Sequence, residues 1–320
     1  MKICISIDNL QDESFKRMVK ALNSQLPGAD IVVTDTKNYD LKDVDIFVGK
    51  KLNPEKLSEA NKLKAIFAYK TGVDDFPLEK LRQMGIELYN SHANSEAVAR
   101  YAFYLSTALL SKLTMSDREM RNGVLRDKSQ IHCDITQMKV GLLGFGGIGQ
   151  SINNLMTAFG VRTYTIKRDD DPEKYKNVNL VMSLEDLLKE CELIVMSLPK
   201  TAETNNIINA RTIKTYLKNK YIVNVGRGNC IDEKALFEAL KNDEIAGFAS
   251  DTVNEKPVDG FLLSDHLGEL GKKNVITTQH CAMQTALGHE NYVKDVTKKV
   301  LNYVSHKGLA VDKVNYSKSY

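Results

Sequence analysis

One segment constrains this chain more than any other. Lys139-Val-Gly-Leu-Leu-Gly144-Phe-Gly146-Gly147-Ile148-Gly149 runs an apolar strand into the spacing G-x-G-x-x-G. Behind it, Ile148, Ile152, Leu155, Met156 and Phe159 recur at helical spacing. Strand, glycine turn and helix together predict a dinucleotide-binding βαβ unit. Gly144 suits the tight turn, Gly146 lets backbone approach a pyrophosphate, and Gly149 lets the helix pack on the strand. The helix start at Gly146, Gly147 and Ile148 offers N–H groups and a positive dipole end to phosphate.

The surroundings repeat the same alternation. Strands are predicted over 2–8, 30–34, 45–49, 64–69 and 86–90, with helices over 12–23 and 78–84. A second series follows from Lys139, with strands over 139–144, 161–166, 192–198, 221–225, 245–251 and 275–278. Strands apolar on both faces and separated by helices predict parallel sheets covered on both sides. Residues 97–110 form a long, almost wholly apolar helix, and the polar stretch 116–130 reads as a loop or arm. Ser183 with Asp186, and Asp232 before Glu233, are predicted N-caps. The last helix, 286–304, places Val293, Val296, Val300 and Val304 on one face.

At 320 residues the chain has room for about two domains. Its 44 basic and 41 acidic residues leave a net charge of +3, too balanced for a nucleic-acid or membrane-surface partner. No apolar run approaches the ~18 residues of a membrane span. The run 3–7 is broken by Asp8, too short for a signal sequence. Five cysteines without a CxxC pair fit reduced cytoplasmic thiols better than disulfides or a zinc site, and no metal is expected.

The strand 161–166 ends in Lys167 and Arg168, eighteen and nineteen residues after Gly149. A cofactor without a 2′-phosphate usually meets an acid about 20 residues past the glycines. A Lys–Arg pair there would attract a 2′-phosphate, so NADP is expected as cofactor, with NAD as second choice.

Besides the glycine loop, motifs that occur in order along nearly the whole chain resemble the D-2-hydroxyacid dehydrogenase family. Tyr69-Lys-Thr71-Gly72-Val73-Asp74 looks like its substrate loop, and Asn90-Ser-His-Ala-Asn94-Ser-Glu-Ala-Val-Ala like its entry into the cofactor domain. Ser197-Leu198-Pro199-Lys-Thr-Ala-Glu-Thr204 and Val223-Asn-Val225-Gly226-Arg227-Gly228 match two further motifs. The resemblance implies two Rossmann-like or flavodoxin-like parallel-sheet domains with an active-site cleft between them. The substrate domain would be 1–93 plus 287–320, and the dinucleotide-binding domain 94–286. It also implies a homodimer, built largely through the cofactor domain and its long first helix.

The implied reaction is hydride transfer between a nicotinamide and C2 of a small 2-oxo or 2-hydroxy acid. Arg227 stands at the family's arginine position, where a guanidinium fork suits a planar carboxylate. His280 matches the general acid/base. Backbone N–H groups of Thr71, Gly72 and Val73 would hold the carboxylate, and Asn94 the substrate or the carboxamide. Leu198, Pro199, Thr204, Val225, Gly226 and Asp251 are the implied cofactor contacts beyond the glycine loop.

The pattern also departs from the family. A Glu usually follows that Asp by five residues, directly before Pro, and raises the pKa of the His. Here Lys256 stands at that position and Glu255 one residue earlier, so Glu255 is expected to reach His280 if the loop shifts by one. Gln279 replaces a common Pro and Arg100 a common Glu. A dinucleotide-sensing binding protein with little turnover, like the family's corepressor relatives, is the alternative. Retention of both Arg227 and His280 favours chemistry.

Overall fold

The computed structural model describes residues 1–125, 131–306 and 313–316. The chain forms two compact units, Met1–Asn94 with Gln284–Tyr320, and Ser95–Met283. The first contains β1 (Lys2–Ile7), α1 (Glu13–Gln25), β2 (Asp30–Asp35), β3 (Ile46–Val48), β4 (Ala65–Phe67), α2 (Leu78–Gln83) and β5 (Glu87–Tyr89). The second opens with α3 (Ser95–Leu110) and α4 (Leu113–Arg121). Its sheet region follows with β6 (Lys139–Leu143), α5 (Gly147–Ala158), β7 (Arg162–Ile166), β8 (Asn179–Val181), α6 (Leu184–Glu190) and β9 (Leu193–Met196). It closes with α7 (Ala210–Tyr216), β10 (Tyr221–Asn224), α8 (Glu233–Lys241), β11 (Gly247–Ser250), α9 (Leu263–His266) and β12 (Val275–Thr277). Helix α10 (Ala286–Val304) belongs to the first unit.

Both sheets are parallel throughout. The first has the order β2-β1-β3-β4-β5, the flavodoxin-like sequence 2-1-3-4-5. The second reads β8-β7-β6-β9-β10-β11-β12, which is the dinucleotide-fold order 3-2-1-4-5-6 with one strand added. Its strand order reverses between β6 and β9, so the loops leaving these two strands flank the topological switch point where such sheets bind ligands. Strands β3, β4, β9, β10 and β11 are buried at every residue, as the doubly apolar runs require.

Local signals explain most helix ends. Asp12 caps α1, accepting from Ser14 N at 2.8 Å, and Phe15, Met18 and Leu22 form the buried stripe. Ser183 accepts from Asp186 N at 3.1 Å and Asp232 from Ala235 N at 3.0 Å, the caps expected from sequence. Helix α3 buries Ala97, Ala99, Ala102, Leu105, Leu109 and Leu110, a face of small and medium side chains.

Two elements differ from the sequence reading. Much of the expected arm is helix α4, separated from α3 by Lys112 in the left-handed region (φ 52°). It buries no side chain, so it carries no apolar stripe to reveal it, and an Arg121–Asp117 pair at 2.8 Å spans one turn. The remainder of that arm, 126–130, lies outside the described residues. Strand β8 is an edge strand of three residues, too short and too exposed to show an apolar run.

Candidate active site

The glycine turn after β6 is fixed by backbone crowding. Gly144 has φ +98°, and a Cβ there would lie 3.0 Å from Ser197 backbone atoms. A Cβ on Gly149 would sit 2.0 Å from Gly144 O, so no larger residue fits without moving the strand or helix. Gly146 differs: a Cβ would meet nothing within 4 Å. It is the N-cap of α5 with no side-chain cap, so the first-turn amides of Gly147, Ile148 and Gly149 have no side-chain capping partner. A concave backbone, an uncapped helix and open space where a side chain would project fit a pyrophosphate.

Lys167 and Arg168 follow β7 at the same end of the sheet. Arg168 N donates to Tyr175 Oη at 3.1 Å, and the Tyr175 ring stacks on Phe145 of the glycine loop at 5.5 Å. This ties the strand tip to the phosphate turn. Lys167 pairs with Asp170 at 2.6 Å, which raises its pKa, and Arg168 with Glu203 at 3.7 Å. The four side chains are half or more exposed. Such pairs are worth about 0–1 kcal/mol and rearrange readily for a stronger anion.

Past β9, Ser197 Oγ donates to Gly144 O at 3.1 Å, joining the two loops of the switch point. Leu198 is buried, and Thr204 Oγ1 donates to Pro199 O at 2.6 Å. The Thr204 hydroxyl therefore closes the 199–204 turn within the protein. Gly226 packs so tightly that a Cβ would lie 2.6 Å from Leu198 O.

Arg227 leaves a turn folded by Asn224, a side chain the sequence reading assigned no role. Asn224 Oδ1 accepts from Gly226 N at 3.0 Å and its Nδ2 donates to Arg227 O at 3.0 Å. A buried Asn ending an apolar strand was the signal, since burial without bonds would be costly. On the far side, a Cβ on Gly228 would lie 2.5 Å from the backbone of Val253 and Asn254. The half-buried Arg227 donates through Nη1 to Gly226 O at 2.9 Å.

His280 is exposed and adopts φ +52°, rare for a residue with a Cβ. Asp251 imposes this conformation. Its carboxylate, 1% exposed, accepts from Thr278 Oγ1 at 2.6 Å, Cys281 N at 2.9 Å and Ala282 N at 2.9 Å. Tyr101 of α3 approaches Cys281 Sγ at 3.2 Å, and burial raises its phenol pKa. Thr278 and Tyr101 also escaped the sequence reading, having no local motif.

Glu255 does not reach His280: the two share no hydrogen bond or ion pair, and Glu255 is exposed. The expected one-residue shift is blocked because the preceding residues are pinned. Asn254 N donates to Glu233 Oε1 at 2.7 Å, and the 253–254 backbone packs on Gly228. Burial raises the Glu233 carboxyl pKa despite two amide donors. Lys256 is exposed as well.

In the first unit, Thr71, Gly72 and Val73 follow β4. No acceptor for their three successive N–H groups occurs among the described residues. Asn94 is 1% exposed, and neither its Oδ1 nor its Nδ2 has a hydrogen-bond partner among the described residues. Leaving a buried amide unbonded costs about 1–3 kcal/mol. No cluster of metal-ligating side chains occurs among the described residues.

A Rossmann-ordered sheet with a glycine-built phosphate turn in one unit, and a flavodoxin-like sheet in the other, define a two-unit dinucleotide-binding protein. The family model "D-isomer specific 2-hydroxyacid dehydrogenase, NAD binding domain" matches residues 103–282, more than half of the chain. The chain belongs to this dehydrogenase family. It is 29% identical to the glyoxylate reductase of Thermococcus kodakarensis over 275 residues, covering 82% of this chain and 81% of that protein. It is 30% identical to the D-3-phosphoglycerate dehydrogenase of Methanocaldococcus jannaschii, over 88% of this chain and 55% of that protein. The D-lactate dehydrogenase of Aquifex aeolicus, solved with NAD and lactic acid, shares the fold with a TM-score of 0.81 and 22% identity, each chain covered to 98%. An acyclic imino acid reductase solved with NADPH and D-Arg gives a TM-score of 0.83 at 22% identity, over 98% of this chain and 100% of that one. No helix among the described residues is long and apolar enough to cross a membrane.

Proposed function

We propose that this protein is an NADPH-preferring reductase of small 2-oxo acids that yields the D-2-hydroxy acid. The observation that carries the reading is Arg227 on its glycine-crowded turn together with His280 on the loop gathered by Asp251, in one unit. When bound, the dinucleotide supplies the hydride received by the substrate's C2. The first-turn amides of α5, from Gly147 and Ile148, take the pyrophosphate. Leu198, Pro199, Thr204, Val225 and Gly226 wall the cofactor, and Lys167 and Arg168 take its 2′-phosphate. NAD is the second choice.

Arg227 binds the substrate carboxylate through its guanidinium fork and draws charge from the carbonyl oxygen. In the first unit, the amides of Thr71, Gly72 and Val73 suit a substrate carboxylate, and the Asn94 amide suits a polar group of the substrate. His280 as imidazolium gives a ring proton to the carbonyl oxygen during reduction, and the neutral ring takes it back during oxidation. Asp251 acts through the His280 backbone, near the nicotinamide end of the cofactor. The pinned 253–254 backbone keeps Glu255 out of this set. A sensor with little turnover would need neither Arg227 nor His280.

The exposed Tyr104 side chain on α3 supports a homodimer formed largely through the cofactor domain and its long first helix. Five cysteines with no disulfide between them support a cytoplasmic location.

The test is an absorbance assay of NADPH and NADH oxidation over a panel of 2-oxo acids. Turnover of at least one acid, with D product and a preference for NADPH, is expected. No turnover of any acid with either cofactor would refute the reading.

A further inference from the structure

Helix α10 packs with Val293, Val296 and Val300 buried, and Lys299 is buried among them at 5% exposure. A Lys at such a position needs partners for its ammonium. It donates to Asp295 Oδ2 at 2.6 Å and to the carbonyl of Asn90 at 2.8 Å. Asp295 also accepts from Ser91 Oγ at 2.5 Å. These bonds fix the 90–91 strap against the helix.

The strap in turn fixes Thr71. Asn90 Nδ2 donates to Thr71 O at 2.7 Å, and Thr71 Oγ1 donates to Ser91 O at 2.8 Å. The Tyr292 hydroxyl lies 2.9 Å from Thr71 Oγ1. With the single Thr71 hydroxyl hydrogen on Ser91, Tyr292 is the donor. Tyr292, Asp295 and Lys299 are spaced i, i+3, i+7, so one face of α10 delivers all three. Every polar atom of Thr71 except its N–H is thereby occupied, and that N–H begins the run of three amides without an acceptor.

We propose that Tyr292, Asp295 and Lys299 are positioning residues that set the carboxylate-binding amides of Thr71, Gly72 and Val73. This rests on reading that segment as the substrate loop. Orientation of fixed dipoles before the ligand arrives lowers the cost of binding, so loss of the brace weakens substrate affinity and spares the hydride step.

The experiment compares wild type with Tyr292→Phe, Lys299→Met and the charge-free double variant Asp295→Asn/Lys299→Met. Each is assayed for KM, kcat, Tm, NADPH affinity and affinity of the NADPH complex for oxamate, a non-reducible 2-oxo acid analogue. Tyr292→Phe should raise KM and the oxamate Kd by about 3- to 10-fold, the loss of one hydrogen bond. Lys299→Met should raise both by about 10-fold or more and lower Tm, because it leaves Asp295 without its cation. The double variant should recover Tm, since no unpaired charge remains, while KM stays high. In all three, kcat should stay within about threefold and NADPH affinity unchanged. A KM that recovers together with Tm, or that never rises, would reduce the cluster to a stability element and overturn the proposal. A wild type that binds oxamate without turning over any 2-oxo acid refutes the proposed reaction, and the oxamate affinities still decide the brace. A wild type that neither binds oxamate nor turns over would overturn both.

Discussion

The turn that carries Arg227 and the loop that carries His280 hold their residues by opposite means. Around Arg227 the backbone has no room: Gly226 abuts Leu198, and Gly228 abuts Val253 and Asn254. Around His280 the chain is exposed and bent into a left-handed conformation, held by hydrogen bonds to one buried carboxylate 29 residues upstream, Asp251. A crowded turn tolerates no change in its glycines, and the one side chain that folds it, Asn224, lies within the turn itself. A carboxylate-held loop tolerates change in its own residues but fails with its anchor.

Substitutions that add one methyl group test the contrast most severely. Gly149→Ala and Gly226→Ala force a Cβ to within 2.0 and 2.6 Å of backbone oxygen, respectively. Each should cost roughly 3 kcal/mol or more of stability, read as a fall in the denaturant midpoint. Gly146→Ala projects into open space and should leave the midpoint nearly unchanged while weakening cofactor binding. Equal stability losses at all three positions would break the comparison.

Next in size are the effects on catalysis. Asp251→Ala should lower kcat/KM by more than about 10-fold, because its three hydrogen bonds to the loop are lost and the strained His280 backbone, worth of order 1–3 kcal/mol, relaxes. The Arg227 turn should survive in that variant, so affinity for a 2-oxo acid analogue should change far less than kcat. Parallel loss of both would show that the two loops are not independently held.

Cofactor choice is expected to be of similar or smaller size. A charge-assisted bond contributes about 1.5–3 kcal/mol, so NADPH should exceed NADH in kcat/KM by roughly 10- to 100-fold. Lys167→Asp should cut or invert that ratio through weaker NADPH binding. Equal use of the two cofactors by wild type would mean that Asp170 and Glu203 retain the pair as surface salt bridges. Smallest of all, Glu255→Gln should leave the pH profile of reduction unmoved, since the exposed Glu255 shares no hydrogen bond or ion pair with His280. A shift of the profile to lower pH would show that the pinned loop moves during turnover.

The same contrast explains what the sequence made legible. Glycine turns are written locally: Gly144, Gly146 and Gly149 stand together, and the crowding that demands two of them follows from their spacing. The parallel order of both sheets was likewise readable from strands apolar on both faces. What stayed hidden depends largely on remote partners. Thr278 and Tyr101 act through atoms far along the chain, and only the fold brings them to the site. Helix α4 was missed because it has no buried face, and the one-residue shift of Glu255 was expected because Glu233 and Gly228, which forbid it, lie about 25 residues upstream.

The most direct measurement is kcat/KM of wild type, Arg227→Ala and His280→Ala on the best 2-oxo acid with NADPH, with folding verified by thermal melting. General acid–base catalysis supplies about 10²–10⁴ in rate, so each variant should lose more than about 100-fold while remaining folded. Near wild-type rates in either folded variant would contradict the assignment of the carboxylate anchor or of the proton donor.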